Sequence, residues 1–321
     1  MAVLNIRRGA PYAPHLFLIP IALGLSWPGT VGGTSPSQGG DNAAGSPPRS
    51  IPDALRDNFT LGGQIPVARY YVDDSNSGTG THYQFPREDV DAMIKAVERA
   101  KTRAQWLIDA RKSDKSTWIF EALNEHSLAG LRVVVFGSLE PYYEAICLSF
   151  GAATVTTVEY NKLTFEHPKL ETLTVKALQE NQFDLEGKFD VALSISSFDH
   201  DGLGRYGDPI NPNGDLEAME GVKRILSPEG VLLLSVPIGP DVLVWNLHRR
   251  YGKLRLPQLL QGWEIVSRYG WDPSMLSKQA SFTRSYEPIF ALRPMHSEAD
   301  VACSNTIEDA SCKFVDDSNT N

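Results

Sequence analysis

Residues 196–209 read SSFDHDGLGRYGDP, and few stretches of this chain hold so many groups able to move a proton or grip a charge. Asp199, His200 and Asp201 are consecutive, Arg205 and Asp208 follow, and Gly202, Gly204 and Gly207 lie among them. Of these side chains the imidazole alone has an ordinary pKa near neutrality. His200 therefore suits a general base, with Asp199 or Asp201 orienting it, wherever a hydroxyl must lose a proton as it reacts. Arg205 offers a planar fork of donors for an anionic substrate. The glycines would let the loop close over that substrate. The alternative is a structural loop, with Asp199 and Asp208 capping turns and Arg205 in an ion pair.

The run before this loop, FDVALSI (residues 189–195), reads as a buried strand that delivers the loop to a sheet edge. Other strands are predicted at LRVVVFG (131–137), ATVTTVEYN (ending at Glu159), LETLTV (170–175) and VLLLSVP (231–237). WEIVSRYG and EPIFALRP read as two closing strands. Helical periodicity marks residues 86–111, where Val90, Met93, Ile94, Val97, Ala100 and Ala104 form an apolar stripe. Further helices are predicted over 117–125, over 141–151 between Pro141 and Gly151, and over 214–226. Strands alternating with helices predict an α/β, doubly wound parallel sheet with an N-terminal helical extension. Ligands bind such sheets beyond the strand C-termini, where the strand order reverses.

Two residues mark that edge. Gly137 ends the first strand and permits a sharp turn, followed by Ser138. Glu159 ends the second, 22 residues later, the spacing at which nucleotide-binding sheets place an acid on ribose hydroxyls. WNLHRRYG (245–252) is a second candidate wall, from which His248 and Arg249 would reach a substrate; a surface helix explains the pattern almost as well.

VVVFGSLEPYYEAICLSFGAATVTTVEYN, FDVALSISSFDHDGLGRYGDP and LSPEGVLLLSVPIG resemble the class I S-adenosylmethionine-dependent methyltransferases. The resemblance is closer still to a methyltransferase-like domain family of unknown function, and GLGRYGDP is its most distinctive segment. It covers about residues 118–294 and implies a Rossmann-like, seven-stranded methyltransferase sheet. It implies S-adenosyl-L-methionine as cofactor, held by Gly137, Ser138, Glu159 and Ser196. It makes Asp199 and His200 the catalytic pair and Arg205 and His248 the substrate-binding groups, with no metal. The implied acceptor is a small molecule or a glycan-linked group; the alternative is a non-catalytic relative that binds a ligand or partner. One departure stands out: after Gly137 come Ser138, Leu139, Glu140 and Pro141 in place of further glycines, and Glu140 puts negative charge where a methionine carboxylate is expected.

The remaining sequence frames this unit. The formal net charge of -9 disfavours nonspecific binding to nucleic acid, and no Cys/His cluster has metal-ligand spacing. Arg7, Arg8 and the apolar run over 16–27 read as a signal peptide or short signal anchor within 1–30, directing the chain to the secretory pathway or out of the cell, with cytoplasmic residence as the alternative. An anchor would bring membrane association. Residues 31–85 read as a Gly/Ser/Pro-rich linker and irregular segment, 86–298 as the methyltransferase-like domain with its N-terminal helices, and 299–321 as a polar tail. Cys303 and Cys312 in that tail would pair in an oxidising compartment or stay free; Cys147 reads as an inert core thiol.

Overall fold

The structure, a computed structural model, describes residues 45–76, 78, 80–111, 116–278 and 285–295. The expected signal segment, the start of the linker, Cys303, Cys312 and the polar tail lie outside the described residues. Among those described, no helix is long and apolar enough to cross a membrane, and no group of His, Cys, Asp and Glu is arranged to hold a metal ion.

In chain order the elements are α1 (Arg56–Thr60), β1 (Val67–Arg69), β2 (His82–Phe85), α2 (Arg87–Asp109), α3 (Trp118–Glu125), β3 (Arg132–Phe136), α4 (Tyr142–Ser149), β4 (Thr154–Glu159), β5 (Lys162–Phe165), β6 (Leu170–Thr174), α5 (Val175–Glu180), β7 (Phe189–Ile195), α6 (Gly214–Ile225), β8 (Leu226–Ser235), β9 (Val242–Trp245), β10 (His248–Arg250), α7 (Arg255–Leu259), β11 (Trp263–Tyr269) and β12 (Ile289–Pro294). Seven strands form the main sheet in the order β11-β12-β8-β7-β3-β4-β6. β6, β4, β3, β7 and β8 run parallel, and β12 enters antiparallel between β8 and β11. The order reverses between β3 and β7, so those two strands frame the switch point. The α/β, Rossmann-like reading of the sequence holds.

The strands are buried on both faces because their side chains alternate between two apolar layers. Val133 and Val135 of β3 join the layer under α2, α3 and α4; Val134 and Phe136 join the layer under α6 and α7. Leu233 and Leu232 of β8 divide in the same way. β8 starts earlier than its sequence suggests. Its pairing jumps from Phe189↔Leu226 to Val191↔Val231, so SPEG bulges from a strand already begun.

One sequence reading fails here and another is refined. His248 and Arg249 lie in neither a surface helix nor an open wall: β10 is a buried strand paired antiparallel with β9. The stretch read as linker is built into the fold from Gly45 onward. β1 adds to β9 in parallel, giving a three-stranded sheet β1-β9-β10, and β2 pairs with β5. Ile51, Phe59 and Ile65 form an apolar cluster with Leu203, Leu243 and Trp245.

Candidate functional site

A cavity of about 940 Å³ opens at the C-terminal edge of the sheet, across the switch point. Gly137, Glu159 and Ser196 line it from the ends of β3, β4 and β7; His200, Asp201 and Arg205 line it from the loop after β7.

Gly137 has φ +70, and a Cβ there would collide with the Ser197 hydroxyl, so the turn after β3 depends on glycine. Ser138 does not reach the cavity. Its hydroxyl turns inward to the Glu140 carbonyl (2.8 Å) and to Glu144 Oε2 (3.0 Å). Glu140 is likewise absent from the lining, and burial raises its pKa. Glu144, a group that the sequence reading missed, is wholly buried on α4 and accepts a hydrogen bond from Thr157 at 2.6 Å. Burial raises its pKa to about 7. The available signal was an acid inside the apolar pattern YYEAICLS.

Glu159 is buried and faces the cavity. The Asn161 backbone N–H (3.2 Å) and side-chain amide (3.3 Å) both donate to its Oε1. Burial outweighs those bonds and raises its pKa. The next residue, Tyr160, lines the same cavity as Asp201 of the loop after β7; burial first, and the Asp201 charge second, raise its pKa.

Within that loop the expected catalytic pair divides. His200 lines the cavity, and its Nδ1 lies 2.6 Å from the Leu247 carbonyl oxygen. A carbonyl can only accept, so Nδ1 carries a proton and Nε2 is the basic nitrogen of the neutral ring. Asp199 lies behind the wall: it is fully buried, does not line the cavity, and its Oδ2 is 3.5 Å from His200 Nε2. Neither Asp199 oxygen has a hydrogen-bond partner among the described residues. Burial first, and Glu287 second, hold its pKa well above the ordinary carboxylate value. Burial thus works against the ionised form of Asp199 that would orient His200. His248 also misses the cavity; its Nδ1 donates to the Arg249 carbonyl (3.2 Å) and lies 3.9 Å from Asp199 Oδ2. Arg249 is structural. Its guanidinium donates to the carbonyls of Asp201 (2.6 Å), Asn211 (3.3 Å) and Pro212 (3.3 Å).

Arg205 takes the ion pair of the structural alternative while still lining the cavity: its Nε donates to Asp74 Oδ2 at 2.7 Å. Asp208 caps the turn, accepting from the N–H groups of Gly204 (2.8 Å) and Tyr206 (3.1 Å). Gly202 and Gly204 are closely packed. A Cβ on Gly202 (φ +81) would run into the Asn211 carbonyl. Ser196 sits at φ +51, and its buried hydroxyl has no partner among the described residues.

The family model described as "Caenorhabditis protein of unknown function, DUF268" matches residues 130–288, just under half of the chain. No curated protein matches the chain by sequence. Among solved structures, the chain is similar to 1,6-didemethyltoxoflavin-N1-methyltransferase of Burkholderia thailandensis at 18% identity and TM-score 0.41, covering 55% of this chain and 76% of that one. It is similar to an S-adenosylmethionine-dependent methyltransferase of Mesorhizobium loti at 14% identity and TM-score 0.35, covering 54% and 96%. It is also similar to the PH0226 protein of Pyrococcus horikoshii at 10% identity and TM-score 0.37, covering 57% and 92%.

Proposed function

We propose that the chain binds S-adenosyl-L-methionine across the switch point and transfers its methyl group to a small or glycan-linked acceptor. The observation that carries this reading is Glu159, a buried carboxylate at the end of the second sheet strand, in one cavity with the Gly137 turn. The cofactor supplies an electrophilic methyl on a sulfonium. The chain's residues fit such a group: Gly137 makes the tight positive-φ turn that brings backbone to the cavity edge, Glu159 presents its carboxyl group to a diol, and the buried Ser196 hydroxyl has no hydrogen-bond partner among the described residues. The volume lies near the upper end of the roughly 300–1,000 Å³ usual for ligand sites, which leaves room for an acceptor beside the donor. His200, with Nδ1 fixed on Leu247, is placed to accept a proton at Nε2; Asp199 beside it influences that basicity from behind the wall.

S-Adenosylhomocysteine is expected to bind the full chain, and Glu159→Ala to weaken it by about 1–3 kcal/mol, the usual loss of hydrogen bonds to a charged group. Calorimetry checks both. No heat at millimolar ligand, with the protein folded, would favour the second reading, a non-catalytic methyltransferase-fold protein that binds another ligand. That reading draws on the turn after Gly137, where Ser138 points at Glu144 and away from the cavity.

A further inference from the structure

Asp74 comes from the stretch whose composition reads as linker, yet its carboxylate pairs with Arg205, a residue that lines the site. Its backbone N–H donates to the Arg205 carbonyl (2.9 Å), and Arg205 Nε returns a bond to its carboxylate (2.7 Å). The chain on either side is pinned. Tyr70 N–H donates to the Trp245 carbonyl at 2.7 Å, and the Asn246 side chain brackets Val72, accepting from its N–H and donating to its carbonyl, both at 2.9 Å. Beyond Asp74, Asp73 Oδ1 accepts from the Ser75 N–H (3.0 Å) and hydroxyl (2.5 Å). Asp74 therefore holds one position against a guanidinium that is itself almost wholly buried, 3% exposed.

We propose that Asp74 is a specificity-determining residue: by neutralising Arg205 at the cavity wall it makes the site take an uncharged, oxygen-bearing acceptor, a hydroxyl or carbonyl compound, and discriminate against anions. Arg205 remains a donor after pairing, because a guanidinium has five N–H groups and no acceptor. Its Nη1 is buried with no hydrogen-bond partner among the described residues, so an oxygen is the complement it lacks. An anion, however, would meet an unfavourable field. Glu159, Asp201 and Glu287 line the same cavity, while the charge of Arg205 is already matched at 2.7 Å. Like charges gathered around one pocket repel. Burial first, and the neighbouring Asp208 second, raise the pKa of Asp201, so a further negative charge is disfavoured there. The inference revises the anionic substrate that the sequence suggests for Arg205. It rests on the methyl-transfer reading only in calling the bound compound an acceptor.

The test uses inorganic sulfate on the full chain, with chloride at equal ionic strength as the control, read by calorimetry and thermal melting. Wild type is expected to give no sulfate-specific signal. Asp74→Asn, which exposes the Arg205 charge, is expected to bind sulfate at least tenfold more tightly than the wild-type detection limit, and adding Arg205→Gln to abolish the gain. Asp74→Ser replaces the asparagine variant if that variant fails to fold. Sulfate binding by wild type that Arg205→Gln removes would overturn the proposal, as would a folded Asp74 variant with no gain. S-Adenosylhomocysteine titrated into the same proteins keeps the two readings apart. Its binding alongside a failed sulfate result overturns this inference alone; its absence alongside the expected sulfate result overturns methyl transfer alone.

Discussion

Buried carboxyls decide much at the residue scale, and their surroundings sort them into two kinds. Asp215 accepts from Arg255 Nη2 (2.5 Å), Arg255 Nε (3.1 Å) and the Tyr251 hydroxyl (3.0 Å); burial alone would raise its pKa, but Arg249 and Arg255 hold it below the usual value. Among the described residues, Glu144 has no cation in such a role. The Ser138 hydroxyl has one hydrogen and two acceptors within reach, the Glu140 carbonyl and Glu144 Oε2. A proton on Glu144 resolves the conflict, since Oε2–H then donates to Ser138 and Ser138 donates to Glu140. This geometry agrees with a folded pKa raised from 4.5 to about 7. For a carboxyl so raised, the folded state holds the extra proton. Stability attributable to Glu144 is thus full below pH 4.5, falls as pH rises toward 7, and is level above that. The slope is about 1.4 kcal/mol per pH unit inside the window. Glu144→Gln, whose amide can donate to Ser138 at every pH, is expected to match wild type near pH 4.5 and to exceed it by roughly 1–3 kcal/mol at pH 8. Urea denaturation of both proteins across this range checks it, and a difference that does not change with pH would refute the assignment. Because only the difference between the two proteins is read, raised groups common to both, such as Asp199 and Glu159, cancel.

Among the elements, the turn from β3 into α4 carries the strictest demand. Gly137→Ala would place a Cβ at φ +70, a strain of about 1–3 kcal/mol, and drive it into Ser197 as well. A loss of stability in that range is expected, together with weaker S-adenosylhomocysteine binding, because the turn forms the cavity wall. Adding Ser197→Gly is expected to recover the steric part and leave the backbone part; full recovery would mean that φ at this position is not limiting. This turn was readable from the sequence, as were the main strands, because VVVF and FDVALSI are short β-branched or apolar runs closed by small residues. Glu159 was readable from its spacing to Gly137. Other features were not. β10 carries His248, Arg249 and Arg250, and three basic residues in a row read as a wall or a surface helix, when each is in fact buried and bonded to a backbone carbonyl. The loop after β7 reaches the cavity edge as its sequence suggests, but which of its residues face the cavity depends on distances. Asp199 and His200 are adjacent in sequence, yet one lies behind the cavity wall and the other lines it. Periodicity reports which face a residue takes in a helix or strand; in an irregular loop it reports nothing.

At the scale of the whole molecule, composition reads residues 31–85 as a Gly/Ser/Pro-rich linker and irregular segment, and from Gly45 onward its few apolar residues close a cluster with partners far along the chain. Phe59 is buried and meets Trp245 edge to face, with ring centroids 5.3 Å apart. Trp245 Nε1 donates to the Pro48 carbonyl at 3.1 Å, and the Tyr71 hydroxyl to the Pro47 carbonyl at 2.9 Å. Pro47 also lies where a Cβ on Gly204 would need to be, so the segment packs directly on the loop that carries Arg205. These contacts begin outside the span matched by the family model, residues 130–288, and end inside it. A linker and an integral layer make opposite predictions for one substitution. If residues 45–85 were a linker, Phe59→Ala would change stability by less than about 0.5 kcal/mol, as surface changes do. As part of a packed cluster, the substitution leaves a void beneath Trp245 and is expected to cost about 3–5 kcal/mol, in a single cooperative transition shared with the main sheet. Chemical denaturation followed by tryptophan fluorescence and by far-ultraviolet circular dichroism measures both quantities. Coincident curves shifted to lower denaturant support integration. A small early fluorescence change with an unshifted main transition would mean that the segment melts by itself, and that the Asp74–Arg205 pair can be released without unfolding the sheet.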